Sequence, residues 1–156
     1  MVKSHAVIFV NTTLQRPGLE LLVYEDAELR ASMYRELYED VHGYDEVETC
    51  LNLTREETIV RLDRLGDEAK TFGQNHAEKT SFAIDVVFIG FKLSYSYHKD
   101  IIDKLQPAVN KCADGSITMD EYILSQTGHT LNLPEFIERI AQNPNVQVGL
   151  LEEWQG

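Results

Sequence analysis

The sequence predicts an α/β fold, a three-layer α/β/α sandwich around a mainly parallel sheet, built as one domain over residues 1–156. Three observations predict it. Short, nearly unbroken apolar runs at residues 6–10 (AVIFV), 82–90 (FAIDVVFIG) and 146–151 (VQVGLL) read as strands of a sheet covered on both faces. The segments between them carry helical spacing. Strands alternating with helices leave right-handed crossovers onto a parallel sheet as the main solution. A chain of 156 residues that is 43% apolar suffices for one hydrophobic core.

Taken in order, the first strand at 6–10 is followed by a polar loop, Gln15-Arg16-Pro17-Gly18. From about residue 24 to 41 the apolar residues Leu29, Met33, Leu37 and Val41 recur every fourth position, which predicts a core-facing helical stripe that stops at Gly43. Residues 46–51 (EVETCL) read as a second strand, and Thr54-Arg55-Glu56-Glu57 is a capping box that opens the next helix. In that helix Ile59, Leu62, Leu65, Ala69 and Phe72 form the expected core face, with Arg55, Glu56, Arg61, Asp63, Arg64 and Asp67 solvated. The run at 82–90 is the most strand-like of all and belongs at the sheet centre, with Asp85 its one polar residue. A helix near 100–105, a turn at Ala113-Asp114-Gly115 and a short helix from about Met119 follow. Another helix opens at Asn132-Leu133-Pro134-Glu135 and ends at Asn143-Pro144-Asn145, before the last strand at 146–151.

Charge narrows the function classes. Fourteen Lys and Arg against 26 Asp and Glu give a net charge of -12, which repels nucleic acid and anionic membranes and suits a basic partner. The opening residues MVKSH run straight into a strand without the pattern of a signal peptide, and no membrane-spanning stretch is present, so a cytoplasmic location is expected. Cys50 and Cys112 stand at no metal-ligand spacing and are expected to be structural thiols. His5, His42, His76 and His129 are expected at the surface or at caps, and no cofactor is expected.

Several junction motifs point further. Asp26-Ala27 opens the first long helix, and Gly43-Tyr44 precedes the second strand. Asn52-Leu53-Thr54-Arg55-Glu56-Glu57 follows that strand, and Asp85 leads the apolar part of the third. Asp114-Gly115-Ser116-Ile117-Thr118 comes before Asp120-Glu121, and the last strand runs into Glu152-Glu153-Trp154-Gln155-Gly156. In this order the motifs resemble the large subunit of caspase-type cysteine proteases, a group that includes metacaspases, over nearly the whole chain. The resemblance implies a general-base histidine at the end of the third strand, where Phe91 stands, and a nucleophilic cysteine after the fourth, where Trp154 stands. Neither side chain can carry a proton or act as a nucleophile. The arginine that would bind a substrate aspartate falls near Glu20, with Arg16 close by.

The resemblance therefore implies an inactive homologue, a pseudocaspase that regulates a caspase or a related cell-death component by binding protein. It also implies that the chain lacks the small-subunit strands. The last strand, with Val146, Val148, Leu150 and Leu151, is then an apolar edge awaiting a small-subunit-like chain, a caspase or a second copy. Two other readings stay open. Cys50 and His98 could rebuild a protease dyad, alone or with a partner. Residues 110–121 partly fit a calcium loop, with Asn110, Asp114, Ser116 and Glu121 as ligands, although Cys112 occupies an oxygen-ligand position and Pro107 interrupts the preceding helix.

Overall fold

The structure, a computed structural model, describes residues 2–14, 21–75, 81–91 and 133–155. Its frame is a sheet of four strands in the order β4-β1-β5-β6: β1 (Val2–Val10), β4 (Glu46–Leu51), β5 (Ser81–Phe91) and β6 (Val146–Gln155). All the pairings are parallel. β1 runs beside β4 from His5↔Glu46 to Val10↔Leu51 and beside β5 from Val2↔Ser81 to Val10↔Ile89. β6 joins the far side of β5 from Phe82↔Val146 to Phe91↔Gln155. The unbroken apolar runs of β1 and β5 follow from this placement, since both are interior strands covered on two faces. A small antiparallel ribbon of β2 (Thr13–Leu14) and β3 (Leu22–Val23) bridges β1 and the first helix.

Helices cover both faces, so the expected α/β layering stands. On one face α1 (Ala27–Glu36) runs into a π-helical turn at Leu37–Val41 and closes over Ala6, Ile8, Val10, Val87 and Ile89. On the other, α2 (Arg55–Asn75) and α3 (Leu133–Ala141) pack Leu62, Leu65, Phe72, Leu133 and Ile140 against Val7, Phe9, Val86 and Phe88. The capping box at the start of α2 forms as expected: the Thr54 amide donates to the Glu57 carboxylate at 3.1 Å, and the Glu57 amide donates to the Thr54 hydroxyl at 3.1 Å. After the π turn, Gly43 adopts φ +62°, a left-handed conformation that glycine takes without a steric penalty.

Three expectations are corrected. The face of α1 that meets the sheet is Ala27, Ala31 and Tyr38, while Leu29, Met33 and Val41 are 63%, 62% and 70% exposed. A four-residue step turns about 40° beyond a full helical turn, so the residues at 29, 33, 37 and 41 spiral off the core-facing side. Alanines at 27 and 31 bring the helix close to the sheet and leave the larger side chains outside. Arg61, expected in solvent, is buried, and so is His5, expected at the surface.

Candidate functional site

Ligand sites in doubly wound sheets form at the carboxyl ends of the strands, where the chain order reverses. Here that point lies between β1 and β5, because β4 is laid down on one side of β1 and β5 on the other. Asn11 is buried there, and its backbone N–H donates to the Ile89 carbonyl at 2.8 Å. Asn52, at φ 51°, bridges to the neighbouring strand end: its Oδ1 accepts from the Thr12 amide at 2.8 Å, and its Nδ2 donates to the Thr12 hydroxyl at 2.9 Å. The Asn11 backbone and the Asn52 side chain thus close these strand ends with neutral hydrogen bonds.

Phe91 ends β5, and Trp154 stands next to last in β6. The register pairs Gly90 with Trp154 and Phe91 with Gln155, so the two aromatics occupy adjacent strand ends one step apart. Alternation sends them to opposite faces. Phe91 is buried and meets the Tyr24 ring edge-on at 6.1 Å, on the α1 side. Trp154 packs against Phe88 at 5.1 Å, on the α2 side. Cys50, one residue before the end of β4, packs into the α2-side core, and burial pushes its thiol pKa up, opposite to the shift of an activated nucleophile. His98, the calcium-loop residues Asn110, Asp114, Ser116 and Glu121, and the Arg16 and Glu20 positions all lie outside the described residues.

The second feature is the β6 edge. Among the described residues β6 pairs with β5 alone, which leaves one side of a ten-residue strand without a neighbouring strand. Val146, Val148 and Leu150 turn toward the α2-side core, while Leu151 lies on the α1 side and is 47% exposed. Between β6 and α1 runs a groove of about 340 Å³ lined by Arg30, Met33, Tyr34, Leu37 and Glu153. Its floor is fixed by Glu153, which accepts from the Tyr34 hydroxyl at 2.7 Å and from Arg30 at 3.3 Å. Met33 and Leu37 form its apolar wall, and exposed Leu29 stands one helical turn before Met33. Sequence reasoning identified the strand but missed the helix beside it, whose exposed apolar residues had been assigned to the core.

The third feature joins β1, β4 and α2. His5 on β1 and Glu46 on β4 are register partners, and Glu48 follows on the same face. Glu68 and Arg61, two turns apart on α2, cover them. Arg61 grips Glu48 through two donors, Nε at 2.9 Å and a closer contact from Nη2, and this holds the Glu48 carboxyl below its usual pKa range. A sequence signal for this cluster existed: His5, Val7 and Phe9 alternate on one face of a buried strand.

No helix among the described residues is long and apolar enough to cross a membrane. No protein-family model, curated protein or solved structure matches the chain.

Proposed function

We propose that this chain is a non-catalytic, caspase-like protein that acts in the cytoplasm by binding another protein, through the β6 edge and the neighbouring face of α1. One observation carries the binding site: among the described residues, a ten-residue strand with one side unpaired lies beside the helix that exposes Leu29, Met33 and Leu37, and itself exposes Leu151. Strand addition to such an edge supplies main-chain hydrogen bonds, and apolar neighbours supply selectivity. The occupant is an extended segment of a different, basic protein. Glu25, Asp26, Glu28, Glu36, Glu39 and Asp40 crowd the sequence around α1, and two copies at -12 each would repel one another. The caspase-like identity rests on the order of the sequence motifs alone, since Phe91 and Trp154 end adjacent strands but turn to opposite faces. It makes a caspase-type protease, or a small-subunit-like chain, the first partner to test.

Trp154 is the chain's one tryptophan and sits on β6, so its fluorescence reads the edge directly. Titration with purified caspases and metacaspases should change that fluorescence, with affinity falling as salt rises. Leu151→Asp and Met33→Glu, both at exposed positions, should weaken binding at least ~10-fold while the circular dichroism stays that of the wild type. Binding untouched by both substitutions would refute the site. A dimer in light scattering that Leu151→Asp dissolves would replace the foreign partner with a second copy. Cleavage of a caspase peptide, abolished by Cys50→Ala, would restore the enzyme reading.

A further inference from the structure

The geometry points to a divalent-metal site, of the kind that takes zinc, at His5, Glu46 and Glu68. It is independent of the proposed binding role and stands on the opposite edge of the sheet, where β4, β1 and α2 meet.

His5 is 2% exposed, and its Nδ1 points at Glu46 Oε2, 3.4 Å away, and Glu68 Oε2, 3.2 Å away. Among the described residues that nitrogen has no other polar neighbour, and neither glutamate forms a salt bridge to a lysine or arginine. On its other side the ring is braced. Glu48, held by Arg61, lies 3.2 Å from Nε2, and the Arg61 guanidinium lies 3.4 Å from the same nitrogen, so the far side of the ring is fixed while Nδ1 faces the two glutamates. A carboxylate that braces the ring from behind is a recurrent feature of metal-binding histidines. A single proton on Nδ1 can be shared with one of the two glutamates, whereas a metal ion satisfies all three groups.

The spacing supports the assignment. Ligands about 2.0–2.1 Å from a tetrahedral zinc lie about 3.3–3.4 Å from one another, close to the two separations at Nδ1. The three ligand atoms all lie within 4.8 Å of each other, and Glu46, with its side chain 59% exposed, is free to rotate the remaining distance. Charge agrees as well. Arg61 is ion-paired with Glu48, which leaves Glu46 and Glu68 as the carboxylates available to a cation. Three protein ligands leave a fourth position open to water beside the exposed Glu46. The mixed imidazole and carboxylate set favours zinc over magnesium or calcium, which prefer oxygen alone.

The test uses the full chain. Calorimetric titration with Zn2+ should show one equivalent bound, and Co2+ as a probe should give the intense visible absorption of a tetrahedral ion. Glu46→Gln and Glu68→Gln should each weaken Zn2+ binding at least ~10-fold and remove the Co2+ band, and Glu48→Gln should weaken it roughly 10–100-fold. Glu56→Gln, at an exposed position outside the cluster, should change nothing. Because Glu46 is mostly exposed, Glu46→Gln keeps its fold, and a circular dichroism spectrum checks this. The proposal is overturned if the wild type binds no Zn2+ at millimolar concentration. It is also overturned if binding persists in Glu46→Gln and Glu68→Gln, which would place the ion on the other histidines and cysteines.

Discussion

The Tyr34 hydroxyl donates to the Glu153 carboxylate at 2.7 Å, tying the last turn of α1 to the carboxyl end of β6 across 119 positions of sequence. It fixes the width of the groove whose remaining lining is Arg30, Met33 and Leu37. Tyr34→Phe removes this donor and leaves Glu153 with Arg30. The expected cost is about 0.5–1.5 kcal/mol of unfolding free energy in urea, with an unchanged slope.

The same hydroxyl gives the protein an alkaline limit. Burial, reinforced by Glu153, pushes the Tyr34 pKa up to about 12, and burial with the nearby Asp85 charge does the same for Tyr38. The native state favours the protonated phenols, so their contribution is full below the ordinary value of about 10 and is lost as pH rises toward about 12. Denaturant melts at graded pH should therefore show stability declining through that window. In Tyr34→Phe the decline should be shallower, and unchanged steepness would sink the assignment.

Asp85 and Gly149 are register partners on β5 and β6. A methyl group at 149 would overlap Asp85 Oδ1, whose carboxylate also accepts a short hydrogen bond from Tyr44. Gly149→Ala should destabilise by roughly 1–3 kcal/mol. In an Asp85→Ala background most of that increment should vanish, giving a clear coupling energy in a double-mutant cycle.

Thr54 caps α2 at an exposed turn, so its replacement reports on the cap alone. Thr54→Ala should cost about 1 kcal/mol, whereas Leu65→Ala, fully buried in the same helix, should cost about 2–5 kcal/mol. Thermal or urea unfolding of the pair separates these effects.

Where one physical signal dominated, the sequence was readable. The runs at 82–90 and 6–10 identify interior strands because being covered on two faces demands apolar residues at every position. The Thr54–Glu57 box identifies a helix start because both bonds are local. The inward face of α1 was not readable. It is set by Ala27 and Ala31, whose small size matters only once the sheet beneath them is known, while the larger Leu29 and Met33 suggested the wrong side. His5 and Arg61 were misread for a related reason: each is a polar residue whose burial depends on Glu48 or Glu68, distant in sequence. The last strand runs on past residue 151 to Gln155, so Trp154 stands within it, and the alternation that sends Phe91 and Trp154 to opposite faces emerges only from the paired register.

The strand order also governs how the chain comes together. β1 is an inner strand whose two neighbours are β4, about 40 residues later by the register His5↔Glu46, and β5, about 80 later by Val10↔Ile89. During synthesis β1 can dock on β4 early, but its other row of amides and carbonyls stays open until β5 has left the ribosome. A sticky half-sheet thus exists for the time it takes to make α2 and β5, which favours slow closure and a nascent chain that benefits from chaperone shielding.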